Sequence, residues 1–126
     1  MTLRSPLGRA RGLGSAKEGV AHFWWQRMTG LALVPLALWF VASVISLAGK
    51  DYAQFHAWLA VPCNAMLMCL LVLAVFHHGQ LGLQVVIEDY VHDEKLKLAA
   101  IIANTFFSVA VGLASIYAII KISSGV

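Results

Sequence analysis

The chain has 126 residues, of which 60% are hydrophobic and 12% charged, and its mean hydropathy is +0.80. Soluble domains are about half apolar and a quarter charged, so this composition excludes an ordinary soluble domain and makes a membrane protein the default reading. The net charge of +3 does not point to nucleic acid, because the cations flank apolar runs instead of forming a patch on a soluble fold.

Residues 1–20 are rich in Gly, Arg and Ser and have little periodicity, which describes a basic tail lying over lipid headgroups or partner surfaces. Arg4, Arg9, Arg11 and Lys17 precede the first apolar run. That run is long and lacks a small-residue cleavage site, so a removable signal peptide is not expected. Residues 21–126 form the membrane domain. No charge occurs between Arg27 and Lys50, so residues 28–49 supply the first span, enough for the ~20 residues that cross ~30 Å of hydrocarbon. Pro35 lies within it, a residue that membrane helices tolerate when neighbours satisfy the freed carbonyl.

The next uncharged stretch, Tyr52 to Ile87, is too long for one perpendicular span of ~20 residues. Its opening part, YAQFHAWLAVP, is amphipathic and aromatic and suits the membrane interface, leaving residues 61–87 as a second span, tilted or projecting beyond the core. The third span, 98–120, lies between Lys97 and Lys121. Cys63 and Cys69 fall inside the second apolar segment on roughly opposite helical faces, so they suit neither a disulfide nor a metal site and read as small buried hydrophobes.

The fold expected is an all-α membrane protein of three transmembrane helices, its N-terminus cytoplasmic, packed with a partner membrane subunit into a helical bundle. An inside N-terminus places Arg4, Arg9, Arg11, Lys17, Arg27, Lys95 and Lys97 in the cytoplasm and only Lys50 and Lys121 outside, as the positive-inside rule requires. Trp24, Trp25 and Tyr90 then line the cytoplasmic interface, and Tyr52 and Trp58 the opposite one.

The second span carries Phe76-His77-His78-Gly79. Ionisable groups inside a membrane are costly enough to be functional candidates, and His78 lies ~13 Å inside the edge marked by Ile87 at 1.5 Å per residue, close to the midplane. His77 and His78 point about 100° apart. Ala74, His78 and Gly82 recur at helical spacing and form a small-residue stripe, against which either another helix or a flat macrocycle could lie, with His78 directed at iron in the second case. His77 has Leu73 and Leu81 around it and reads as packing or hydrogen bonding. A six-coordinate haem needs two axial ligands, and His56 lies roughly 33 Å from His78 along a helix, while His22 and His92 are near the membrane edge. The second axial histidine is therefore expected from a partner subunit.

About three helical turns after His78, on nearly the same face, comes Asp89, followed by Tyr90 in a cluster of carboxylates, phenol and imidazole (Glu88 to Glu94). Tyr90 could donate to the carbonyl of a lipophilic quinone, or serve as an interfacial aromatic beside solvated acids. Arg27 is an interface anchor or an anion partner.

These residues carry a family resemblance. H-x3-G followed by V-V-I-E-D-Y-V (His78, Gly82, Val85 to Val91), with F-W-W-Q-R-M-T-G upstream (Phe23 to Gly30), resembles the hydrophobic membrane anchor subunits of succinate dehydrogenase, respiratory complex II. The likeness covers the three-span plan and most of the length, the H-x3-G to D-Y segment being its specific part. It implies that His78 is an axial ligand of a haem b shared with a partner subunit. It also implies that Tyr90 contacts ubiquinone, that Asp89 supports that site, and that Arg27 lies near a haem propionate or the quinone pocket. Some members have a histidine just before the first span, where His22 stands nearby. The implied partners are the cytochrome b membrane subunit, the iron–sulfur subunit and the flavoprotein subunit. The implied setting is the bacterial inner membrane, with the mitochondrial inner membrane as a second possibility. On this reading the chain is no enzyme by itself but docks the catalytic subunits of a quinone-reducing complex. The rivals are a cofactor-free membrane scaffold or assembly subunit, and a transporter subunit, against which the lack of buried carboxylates and of an inverted repeat both weigh.

Overall fold

The computed structural model describes residues 3, 5–12 and 19–125, and its helices are α1 (Pro6–Ala10), α2 (Gly19–Leu47), α3 (Tyr52–Leu59), α4 (Pro62–Tyr90) and α5 (Glu94–Ser124). Among the described residues there is no strand. Among those residues three helices, α2, α4 and α5, are long and apolar enough to cross a membrane. The expected spans sit largely inside them, but each helix outruns its apolar stretch at one end or both, because charges mark the hydrocarbon edge whereas caps and breakers end helices.

Local chemistry accounts for those ends. At α4 the start is set by Pro62 in the first turn after extended Val61, and the end by Val91 leaving the helical region. Asp93 caps α5 by accepting from the Leu96 backbone N–H, so this helix begins at Glu94. Gly125, at φ 71°, ends α5 in the left-handed conformation that favours glycine. Two helices lie outside the three spans altogether. The amphipathic aromatic stretch after Asp51 forms α3, opened by a reciprocal capping box between Asp51 and Gln54. Within the basic tail, Pro6–Ala10 forms the short helix α1, capped by Ser5; Arg4 and Lys17 lie outside the described residues.

Helix α4 is central, packed against α2 on one side and α5 on the other, while α3 rests against α4 and α5. The pattern of burial departs from that of a soluble bundle, because polar side chains stand among the buried positions beside Leu71, Ala74, Leu81 and Ile119. Buried positions include Thr29, Ser43, Asn104 and Ser108, whereas Leu31, Leu38, Ile45, Phe106 and Leu113 point outward. Lipid tails are as apolar as leucine, so close approach of small residues and interhelical hydrogen bonds hold such helices together. On α5 the stripe Asn104, Ser108, Gly112 is buried. Asn104 donates through Nδ2 to the Gln80 carbonyl at 2.9 Å, and Phe76 covers Gly112.

At the α3 end, Trp39 of α2 stacks on Trp58 with ring centroids 5.8 Å apart, and Asn64 Nδ2 donates to the Trp58 carbonyl at 2.9 Å. Leu59, which follows Trp58, is the most buried side chain among the described residues. Cys63 differs from expectation: it is exposed, because it sits in the first turn of α4, where a helix has fewer neighbours to cover it than at its middle.

Candidate functional site

His78 lies near the middle of α4 and turns toward α2. Its Nδ1 is 3.1 Å from Thr29 Oγ1. Thr29 is buried, and its hydroxyl also lies 2.6 Å from the Trp25 carbonyl and 3.2 Å from that of Gln26. Next to it, Gly30 brings the α2 backbone so close that a Cβ there would stand 3.3 Å from His78 Cε1. One turn further along α4, Gly82 faces Gln26, whose Nε2 would be 3.5 Å from a Cβ at that glycine. At His78 and Gly82 the stripe is therefore covered by this chain's own α2, while Ala74 borders the groove between the two helices.

His77, on the neighbouring face, meets the Trp25 ring edge-to-face at 5.4 Å. It also borders an open apolar groove of about 880 Å³ between α2 and α4, together with Met28, Thr29, Pro35, Leu73 and Ala74. Among the described residues no three His, Cys, Asp or Glu side chains gather to hold a metal ion. His56 packs near Gly125 at the far end of the bundle, and His92 is exposed in the α4–α5 connection.

Helix α4 is unbroken from His78 to Tyr90, which leaves Asp89 close to the His78 face and ~17 Å along the axis. Tyr90 is 79% exposed, and Asp89 is exposed beside it. These two make no hydrogen bond to each other; at the same end of α4, Gln84 Nε2 donates to Glu88 Oε1 at 2.8 Å. Arg27 is also exposed, its guanidinium 5.0 Å above the Phe23 ring. It lies ~3 Å along α2 from Thr29 but about 200° around the helix, so it faces away from His78. The structure thus brings together His78, Thr29 and Gly30, keeps Asp89 and Tyr90 at one helix end, and sets Arg27 on the outer face of α2.

Sequence reasoning assigned no role to Thr29, Gly30 or Gln26, although all three stand in the F-W-W-Q-R-M-T-G segment. The adjoining small pair Thr29-Gly30 in an apolar run was the available signal. On the same α2 face, His22 Nε2 and Gln26 Oε1 are buried without a hydrogen-bond partner among the described residues.

Residues 1–112 match the family described as succinate dehydrogenase/fumarate reductase transmembrane subunit. The succinate dehydrogenase hydrophobic membrane anchor subunit of Rickettsia bellii is 34% identical over 116 residues, covering 92% of this chain and 93% of its own. That of Paracoccus denitrificans is 33% identical over 121 residues, covering 96% and 93%. The succinate dehydrogenase membrane anchor subunit of Reclinomonas americana is 27% identical over 88 residues, covering 68% and 73%. With its three long apolar helices and a family match across most of its length, the chain belongs to the succinate dehydrogenase/fumarate reductase transmembrane subunits.

Proposed function

We propose that this chain is the membrane anchor of a succinate:quinone oxidoreductase in a bacterial inner membrane, that it contributes His78 as one axial ligand of haem b, and that it completes part of the quinone-reduction site. A flavoprotein and an iron–sulfur subunit oxidise succinate on the cytoplasmic face, where this chain and a cytochrome b subunit receive them. The observation that carries the haem reading is the imidazole near mid-membrane whose Nδ1 is engaged by Thr29, while its Nε2 has no hydrogen-bond partner among the described residues. A group so costly to bury is retained for a purpose.

The residues present fit the haem. Gly30 leaves the ring room that a larger side chain would fill, and the apolar groove between α2 and α4 runs beside it, reaching Thr29 and Ala74 but with His77 in place of His78 on its wall. Bound haem b supplies a one-electron buffer whose potential follows imidazole ligation and burial. Toward the quinone, Tyr90 offers a phenol O–H to a carbonyl oxygen and so favours the charge that develops there on reduction. Asp89 supports that site, and Arg27 offers a guanidinium to a haem propionate or to the quinone pocket on the side that partners complete.

The test is to purify the chain with its native partners and record reduced-minus-oxidised spectra for the wild type, His77→Ala and His78→Ala. Loss of the haem bands in His78→Ala alone supports the assignment. A second reading, with His77 as the ligand, is favoured by its place on the groove wall, and loss of haem only in His77→Ala would establish it. A complex without a Soret band would instead identify a cofactor-free scaffold.

A further inference from the structure

We propose that Thr29 is a positioning residue that holds His78 as the Nδ1-protonated tautomer and so leaves the Nε2 lone pair free for a metal. This rests on the reading of His78 as the haem ligand. A threonine hydroxyl has one proton to give and two lone pairs to accept with. In α2 the 2.6 Å contact with the Trp25 carbonyl, which has no proton of its own, takes that single proton. The 3.1 Å contact with His78 Nδ1 can then be made only by an imidazole N–H donating to Thr29 Oγ1. A neutral imidazole carries one ring proton, so placing it on Nδ1 strips it from Nε2.

The lock is stiff. Thr29 is β-branched, buried and tied to its own helix backbone. Gly30 closes on the ring at Cε1, so hydrogen bond and packing together fix the imidazole plane. An acceptor on the remote nitrogen raises the basicity of the ligating one, which stabilises ferric relative to ferrous iron and lowers the potential. Trp25 and Gln26 meet the hydroxyl only through backbone carbonyls, so the effect depends on the Thr29 hydroxyl and not on the identity of those side chains.

The experiment uses the complete complex and compares Thr29→Val, which keeps the shape and removes the acceptor, with Thr29→Ser, which keeps the acceptor. The readouts are the haem midpoint potential and the ferric EPR g-values. Thr29→Val should raise the potential and change the g-values, and Thr29→Ser should return both to wild type. If Thr29→Val does not assemble, Thr29→Cys, with a weak acceptor, should shift both readouts in the same direction by less. Wild-type potential and g-values in Thr29→Val, or in Thr29→Cys where that stands in, overturn the proposal while leaving the ligand reading intact, provided His78→Ala has lost its haem. Haem retained in His78→Ala overturns the ligand reading and the role of Thr29 with it. Failure of both Thr29→Val and Thr29→Cys to assemble, with Thr29→Ser normal, overturns it in favour of a purely structural hydroxyl.

Discussion

Gly30 of α2 touches the His78 ring of α4 so closely that a Cβ would lie 3.3 Å from Cε1. That separation is tight but not a clash, so Gly30→Ala should be absorbed by a ring shift of a few tenths of an ångström and should leave haem content near wild type. Gly30→Leu cannot be absorbed and should push His78 away from Thr29. Its complex should lose most of its haem absorbance, with a stability loss of about 1–3 kcal/mol typical of overpacking. Absorbance per complex across the two variants checks the graded response, and equal haem content in both would separate Gly30 from the site.

Tyr90 provides the second prediction. It is 79% exposed at the last residue of α4 and contributes little packing within this chain, so Tyr90→Phe should assemble normally. Removing one hydrogen bond of ~1–1.5 kcal/mol should reduce succinate–quinone reductase activity by about tenfold, while succinate oxidation by a soluble dye persists. An unchanged quinone rate would remove Tyr90 from the mechanism.

The three long apolar helices were legible because hydrocarbon thickness and charge placement act on contiguous residues, and the run from Arg27 to Lys50 shows both. Helix ends were less legible. Asp93 and Gly125 cap α5 well outside the apolar run, and capping is indifferent to hydropathy. The stripe Ala74, His78, Gly82 could be read from periodicity on α4 alone. Its occupant could not, since apposing Thr29 and Gly30 to His78 depends on the register between two helices distant in sequence. Asn104 and Gln80 stayed hidden for the same reason. A buried polar residue in an apolar run signals a contact, but its partner becomes visible only once the helices are packed.

Asn104 gives the third prediction. Its Nδ2 donates to the Gln80 carbonyl, and Gln80 Nε2 reaches Thr105 Oγ1 at 3.4 Å, so the pair joins α4 to α5 at about the depth of the histidines. Hydrogen bonds between membrane helices average ~0.6 kcal/mol and reach ~1.7. Asn104→Ala should cost an amount in that range, measurable as a lower unfolding midpoint in detergent, with the haem spectrum unchanged. A spectral change would mean that α5 acts on the His78 environment, which its place across α4 from α2 argues against.

The last prediction concerns Arg27, whose guanidinium is exposed over Phe23 at nearly the depth of Thr29. No carboxylate of this chain pairs with it among the described residues. A cation at the edge of the hydrocarbon is stable only if an anion or the headgroup layer receives it. If it is merely an interface anchor, Arg27→Lys should behave as wild type, because lysine also extends its charge to the headgroups. If it grips a carboxylate of haem or a polar quinone pocket, the planar fork matters and lysine cannot replace it. The outcome expected is that Arg27→Lys assembles with normal abundance but shows either a shifted haem potential or a raised KM for quinone, and that Arg27→Gln shows the larger change in the same quantity. Wild-type values for both variants would reduce Arg27 to an anchor.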